Sequence, residues 1–311
     1  MGQQSSTYEY EPVEGWADLP DGESFLDIGS VCVDENDEVL VLNRSKRPIL
    51  RFNSEGDPIS SVDIEYSFDR PHGMSIGPDG NIYCTDDGNH TVRKFSPDGE
   101  LLLTLGTENE PSETGCRHVT DLFERIASIE NSAGPFNSPT SVAVSDSGEL
   151  FVADGYGNAR VHRFSSEGER LESWGTPGAG RGEFRVPHSI HHDDEGRIWV
   201  TDRENSRIQI FEVDGSFIEE WTDLIRPNDL FIGDDVVYVA ELCRRVSVFT
   251  LDGELIARWG NEHHPEDDPL FVAPHAIAAD SNGDLYVGEV SYTYKGVDRG
   301  ARTIQKFERV D

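Results

Sequence analysis

One pattern recurs six times along this chain: an apolar strand, a glycine turn, a second apolar strand that usually ends in an acid, a loop, a third strand ending in phenylalanine, another glycine turn and a last strand. No other signal constrains the fold as strongly, because a repeat that cannot bury its own apolar faces has to stack on its neighbours. Asp79-Gly80, Ser147-Gly148, Glu195-Gly196 and Asn282-Gly283 are hairpin turns by composition. The second strands read EVLVLN, NIYCTD, ELFVAD, RIWVTD, VVYVAE and DLYVGE. Third strands end at Phe52, Phe95, Phe164, Phe211, Phe249 and Phe307, and several fourth strands at Leu105-Gly106, Trp174-Gly175 and Trp259-Gly260. Four short strands in each unit of about 36 to 48 residues, with a periodic aromatic, describe propeller blades.

The expected fold is therefore all-β, a six-bladed β-propeller with residues 1–311 as a single domain. The sixth unit runs out at Phe307 without a fourth strand. The N-terminal segment TYEYEPVEGWADLP fits that gap, since Gly15-Trp16 echoes the ends of the other units. A ring closed by this strand has no open sheet edge. Two insertions interrupt the blades. Within residues 107–137, Val119, Leu122, Phe123, Ile126 and Ile129 recur at helical spacing, which predicts a short amphipathic helix over one face of the ring. The glycine-rich stretch 176–185, TPGAGRGEFR, lacks the lysine and helix start of a phosphate-binding loop.

Charge narrows the function classes. Sixty acidic residues against 26 basic ones give a net charge of −34, which repels nucleic acid and anionic membranes. Regular apolar strands rule out a disordered acidic tail, and the composition points to a salt-loving source. Cys32, Cys84, Cys116 and Cys243 have no paired spacing and read as free thiols of a cytoplasmic protein. No segment has the apolar core of a signal peptide or the length of a membrane span. His263 and His264, in EHHPEDDP, read as part of a solvated loop.

Three histidines fall at one repeat position in alternate units: His72, His188 and His275, each after a proline. The other units carry Gly29, Thr140 and Asn228 there. Equivalent positions of a closed ring face one axis, so these imidazoles are expected to meet with near-threefold symmetry. Three histidines with a fourth position open are the ligand set of a catalytic zinc ion.

The segments GPFNSPTSVAV, LFVADGYGNARVHRF and VPHSI…WVTDRENSRIQIFE, with the Trp-Gly and Asp-x-x-Asn-x-Arg blades, resemble NHL repeats and, within them, the peptidyl-α-hydroxyglycine α-amidating lyase family. The resemblance covers nearly the whole chain. It implies a lyase that splits a carbinolamide into an amide and an aldehyde such as glyoxylate. It further implies zinc or another divalent transition metal on His72, His188 and His275, a catalytic tyrosine at Tyr156, and active-site arginines at Arg44 and Arg203. The implied substrate is a small molecule or peptide bearing a carboxylate. Tyr156 would take the hydroxyl proton while the arginines hold the carboxylate through paired hydrogen bonds.

Two positions depart from that family. Ala276 replaces an aspartate that helps bind a structural calcium, which makes calcium in the channel doubtful, and Gly157 replaces a disulfide-bonded cysteine. Asp86, Asp154, Asp202, Glu241 and Glu289 close five second strands and are read as structural, accepting backbone N–H groups of the following loop. A calcium-dependent lactonase would instead use such acids as ligands. A non-catalytic protein-binding module is the other alternative. A chain carrying −34 repels itself unless counterions screen it. Its melting temperature, followed by circular dichroism, should rise from low salt to molar potassium chloride; a flat profile would count against the salt-loving source.

Overall fold

A computed structural model of the chain describes residues 8–19, 23–260 and 269–310. The six units are six four-stranded antiparallel sheets. Their innermost strands are Ile28–Val33, Pro71–Ile76, Pro139–Val144, Pro187–His192, Pro227–Ile232 and Pro274–Ala279. Each touches the innermost strand on either side, so together they ring a central channel. The expected six-bladed propeller is the fold observed. The His263–His264 loop lies outside the described residues.

The second strands, such as Leu150–Asp154 and Ile198–Asp202, are buried along their whole length. Neighbouring blades cover both of their faces, which is why their sequence is an unbroken apolar run rather than an alternating one. Fourth strands such as Arg170–Trp174 lie at the rim and are largely exposed. The core is thus a series of apolar layers, each shared by two blades; Phe151 of blade three, for instance, packs with Ile190 and Phe211 of blade four.

The recurrent tryptophan seals these layers. A Cβ on Gly215, whose φ is +82°, would stand 2.7 Å from the Trp174 ring of the preceding blade, and one on Gly253 equally close to Trp221. Only a residue without a side chain lets the rings approach this closely in a left-handed turn. The N-terminal segment repeats the device at the seam. Tyr10–Val13 pairs with Ile304–Arg309, Tyr10 opposite Arg309 and Val13 opposite Lys306. Trp16 then lies 4.9 Å from the Tyr286 ring of blade six and donates its indole N–H to Ser54 O of blade one at 2.9 Å.

The acids that end the second strands are structural, but their donors differ from expectation. Asp154 accepts from Asn137 N–H, Asp202 from Arg185 N–H at 2.7 Å, Glu241 from Ile225 N–H, and Glu289 from Val272 and Ala273 N–H at 2.6 and 2.7 Å. These donors precede the innermost strand of the same blade. Among the described residues only Asp86 also takes backbone N–H groups from its following loop, those of Gly88 and Asn89, while Asp154 and Asp202 take side-chain amides there, from Asn158 and Asn205. Each carboxylate therefore latches the entry to its blade, where an unpaired buried N–H would be costly. Blade one uses the Asn43 side chain for the same task, accepting from Leu26 N–H.

The insertion at 107–137 yields one helix of six residues, α1 (Leu122–Ala127), capped by the Asp121 carboxylate. Val119 and Ile129 fall outside it, because the flanking chain is tied into loops, as where Glu130 N–H bonds to Thr114 O. None of the residues of α1 is buried. All four cysteines are free; burial pushes the Cys32 thiol up to about 12, which leaves it unreactive. No helix among the described residues is long and apolar enough to cross a membrane.

Deleting residues 1–18 removes both the closing strand and the Trp16 seal. The truncated chain should aggregate or lose cooperative unfolding in a thermal melt, whereas unchanged melting and solubility would contradict closure by the N-terminal strand.

Candidate metal centre

The Pro-His position lies just inside the entry of each innermost strand. His72, His188 and His275 converge there, at 2, 2 and 4 % exposure, with ring centroids 4.8 to 4.9 Å apart. Each Nδ1 bonds to a carbonyl at the matching position of the next blade: His72 to Thr140 O at 2.7 Å, His188 to Asn228 O at 2.8 Å and His275 to Gly29 O at 3.0 Å. A carbonyl only accepts, so Nδ1 carries the proton and the Nε2 lone pair points to the axis. Blades two, four and six supply imidazoles; blades one, three and five supply the carbonyls that orient them.

The alternate positions also steady the proline carbonyls in front of the histidines. Thr140 Oγ1 donates to Pro187 O at 2.7 Å, and Asn228 Nδ2 to Pro274 O at 2.6 Å. Blade one has Gly29, whose Cβ would lie 2.7 Å from His72 O. There Arg44 Nε takes over and donates to Pro71 O at 3.1 Å.

The three ligand nitrogens lie within 4.8 Å of one another, the only such group of three or more His, Cys, Asp or Glu among the described residues. Burial first, then neighbouring positive groups (the other imidazoles for His72, Arg203 and His275 for His188, Arg44 and Arg203 for His275), holds all three histidines well below the usual histidine range. Neutral imidazoles with inward lone pairs fit a divalent transition metal such as zinc.

Tyr156, Arg44 and Arg203 follow the second strands of blades three, one and four and meet above the histidines. The Tyr156 hydroxyl is 3.1 Å from His72 Nε2 and 3.0 Å from His188 Nε2. Arg203 Nη1 donates to the same hydroxyl at 3.0 Å. Arg44 lies 3.8 Å from Asp27, its guanidinium lowered by burial and by Arg70 beside it. The Nη2 groups of both Arg44 and Arg203 are buried without a hydrogen-bond partner among the described residues. Two unmet cationic donors beside three imidazoles have the chemistry to bind a small anion.

Above them opens a cavity of about 410 Å³, which Arg44, Arg70, Arg125, Arg203 and Arg226 all help to line. Sequence reasoning had missed Arg70 and Arg226, although each directly precedes the proline that opens its blade. Arg70 pairs with buried Asp87 at 3.4 Å, which raises its pKa. Arg226 binds Glu204 at 2.6 Å, and Glu204 also accepts from Arg203 Nε at 2.8 Å. Residues of α1 and of a second short helix, α2 (Ser291–Lys295), form the cavity's outer wall.

The two departures have local explanations. Ala276 is fully buried in an apolar layer and offers no oxygen to the channel. The carboxylate near it, Asp229, already binds Ser189 Oγ, His191 Nε2 and Ile277 N–H. A Cβ on Gly157 would stand 2.0 Å from Asn137 Oδ1, so this loop is built around the absence of a side chain. The carboxylates a lactonase would need as ligands are engaged in latching the blades.

A ring of six such blades around three inward imidazoles defines a propeller with a metal-competent axial centre. The NHL repeat model matches residues 68–95, 136–164 and 184–211. Human NHL repeat-containing protein 3 is 33 % identical over 263 residues, covering 78 % of this chain and 67 % of the relative. Peptidyl-alpha-hydroxyglycine alpha-amidating lyase 1 of Drosophila melanogaster is 31 % identical over 258 residues, covering 72 % of this chain, but this match takes in only 43 % of the relative. A streptogramin B lyase structure superposes with a TM-score of 0.62 over 97 % of this chain and 88 % of its own, at 15 % identity, a likeness of fold. The chain belongs to the family of NHL-repeat six-bladed propellers that includes the amidating lyases and NHL repeat-containing protein 3.

Purified protein equilibrated with zinc and desalted should retain about one equivalent by atomic emission, the capacity of one three-histidine centre. His72→Ala, His188→Ala and His275→Ala should each lose it while keeping the far-ultraviolet spectrum of the parent. Retention by all three variants would place the metal elsewhere.

Proposed function

We infer that the chain is a metal-dependent carbon–nitrogen lyase that cleaves a carbinolamide carrying a carboxylate, of the peptidyl- or acyl-α-hydroxyglycine type, to a primary amide and glyoxylate. The observation that carries the reading is the position of the Tyr156 hydroxyl, within 3.1 Å of two imidazole nitrogens and 3.0 Å from Arg203. A proton-transfer group, a candidate Lewis-acid site and unmet guanidinium donors are then within one small substrate's reach. The lyase relatives support the same reading.

Zinc held by His72, His188 and His275 would supply Lewis acidity that stabilises negative charge on the substrate oxygen. Because Arg203 donates to the Tyr156 oxygen, the tyrosine's own proton has only the histidine nitrogens as partners there. With those nitrogens engaged, the phenol proton has no acceptor there and would be given up to solvent before the substrate enters, leaving a phenolate held by Arg203 as the base. Tyr156 then takes the substrate hydroxyl proton, the C–O bond becomes a carbonyl, and the electron pair of the C–N bond leaves with nitrogen. Nitrogen needs one proton to become the amide, so the reaction returns what Tyr156 removed and is proton-neutral overall. Arg44 and Arg203 hold the carboxylate with their unpartnered Nη2 groups. Their charge draws an anion into a protein that otherwise repels anions.

Incubation of the zinc-loaded protein with α-hydroxyhippurate should release glyoxylate above the uncatalysed rate, a chelator should stop it and zinc should restore it. Tyr156→Phe should keep the metal and lose about 10²-fold or more in kcat, the scale of a positioned proton-transfer group. Arg44→Ala should act mainly on KM. No glyoxylate from the zinc-loaded parent would reject the lyase reading.

A further inference from the structure

A second cavity, of about 430 Å³, lies beside the arginine-lined one, between α1 and the glycine-rich stretch 176–185. Its character is the opposite. Its walls include Phe123, Ile126, Ala127 and Ile129 from the insertion, with Phe184 and Val186 from the blade-four entry. The last two are 1 % exposed and fixed in the core, whereas Phe123 stands 62 % exposed on a helix with no buried residue. Exposed apolar side chains of a helix facing a fixed apolar wall across a cavity mark a surface suited to an apolar group.

The two cavities are joined at defined residues. Phe123 lines both. Arg226 stacks over the Phe123 ring at 5.6 Å and over Tyr294 of α2 at 5.9 Å. Glu204, a wall of the apolar cavity, binds Arg226 and also Arg203, which reaches the Tyr156 hydroxyl. A substrate whose carboxylate sits among the arginines would therefore meet Phe123 with the group on the far side of its amide bond.

We propose that this apolar cavity is an acyl subsite, which makes the chain selective for α-hydroxyglycines whose amide carries an aromatic or branched apolar group. The proposal rests on the lyase reading for its substrate and deepens it by fixing the chemistry of the non-reacting half. Glu204 balances the charges of Arg203 and Arg226 on the side facing the subsite, so the anion site stays on one side of Phe123 and the apolar site on the other. Burying a ring or branched chain there gives binding that an acetyl group cannot provide.

The test uses unreactive analogues first. By titration calorimetry on the zinc-loaded full chain, N-phenylacetylglycine should bind about tenfold or more tightly than N-acetylglycine, the effect of burying one ring. Ala127→Trp, which fills the cavity from an exposed helix position, and Phe123→Ala, which removes the shared wall, should each bring that ratio toward one. Equal affinities in the parent, or an unchanged ratio in both variants, would overturn the subsite. The α-hydroxylated forms of the two compounds, assayed for glyoxylate, separate the two claims. A binding preference without glyoxylate from either compound would reject the lyase and keep the subsite. Glyoxylate from both at equal kcat/KM would keep the lyase and reject the subsite.

Discussion

The constraint on which everything else rests is closure of the ring. A blade on its own leaves two apolar faces open, and a row of five leaves two as well; only the sixth contact buries them all. That contact is made by a strand from one end of the chain pairing with a strand from the other, Tyr10–Val13 against Ile304–Arg309, locked by Trp16. The hydrogen bond from His275 to Gly29 O crosses the same seam, so the three-histidine centre and the closure stand or fall together.

Repetition gives this molecule two sets of three equivalent positions instead of six. Alternate blades divide the labour: one set carries the imidazoles, the other turns them through its backbone carbonyls and braces the prolines in front of them. The pattern breaks at blade one, where Gly29 has no side chain and Arg44 fills the role from the next loop. This arginine is held in place by a structural duty at Nε while its Nη2 remains without a partner. Rigid support of this kind would reduce the ordering needed if, as proposed, the same group meets a substrate.

The blades were legible in the sequence because their signals are local and repeated: glycine turns, buried second strands and a terminal aromatic. The three histidines were legible for the same reason, since register alone places His72, His188 and His275 on one axis. The family resemblance supplied Tyr156, Arg44 and Arg203, which no spacing argument would have found. The direction of the acid latches was misread, because whether Asp202 bonds forward or backward depends on how the chain enters the blade at Arg185, a tertiary matter. The length of α1 was overestimated because Val119 and Ile129 have helical spacing but their backbone groups are drawn into loop contacts. Arg70 and Arg226 were overlooked, although a repeat-position comparison of the residues before proline would have drawn attention to both.

The seam also sets an order of events in synthesis. On a growing chain, Gly29, His72 and His188 exist long before the strand Ile304–Arg309 that closes the ring. Until that strand leaves the ribosome, the last imidazole has no carbonyl partner fixed in place across the gap. Contacts separated by nearly the whole sequence form late and slowly. A partial chain therefore cannot bring the three imidazoles into register, and the geometry of the centre is a property of the finished ring alone.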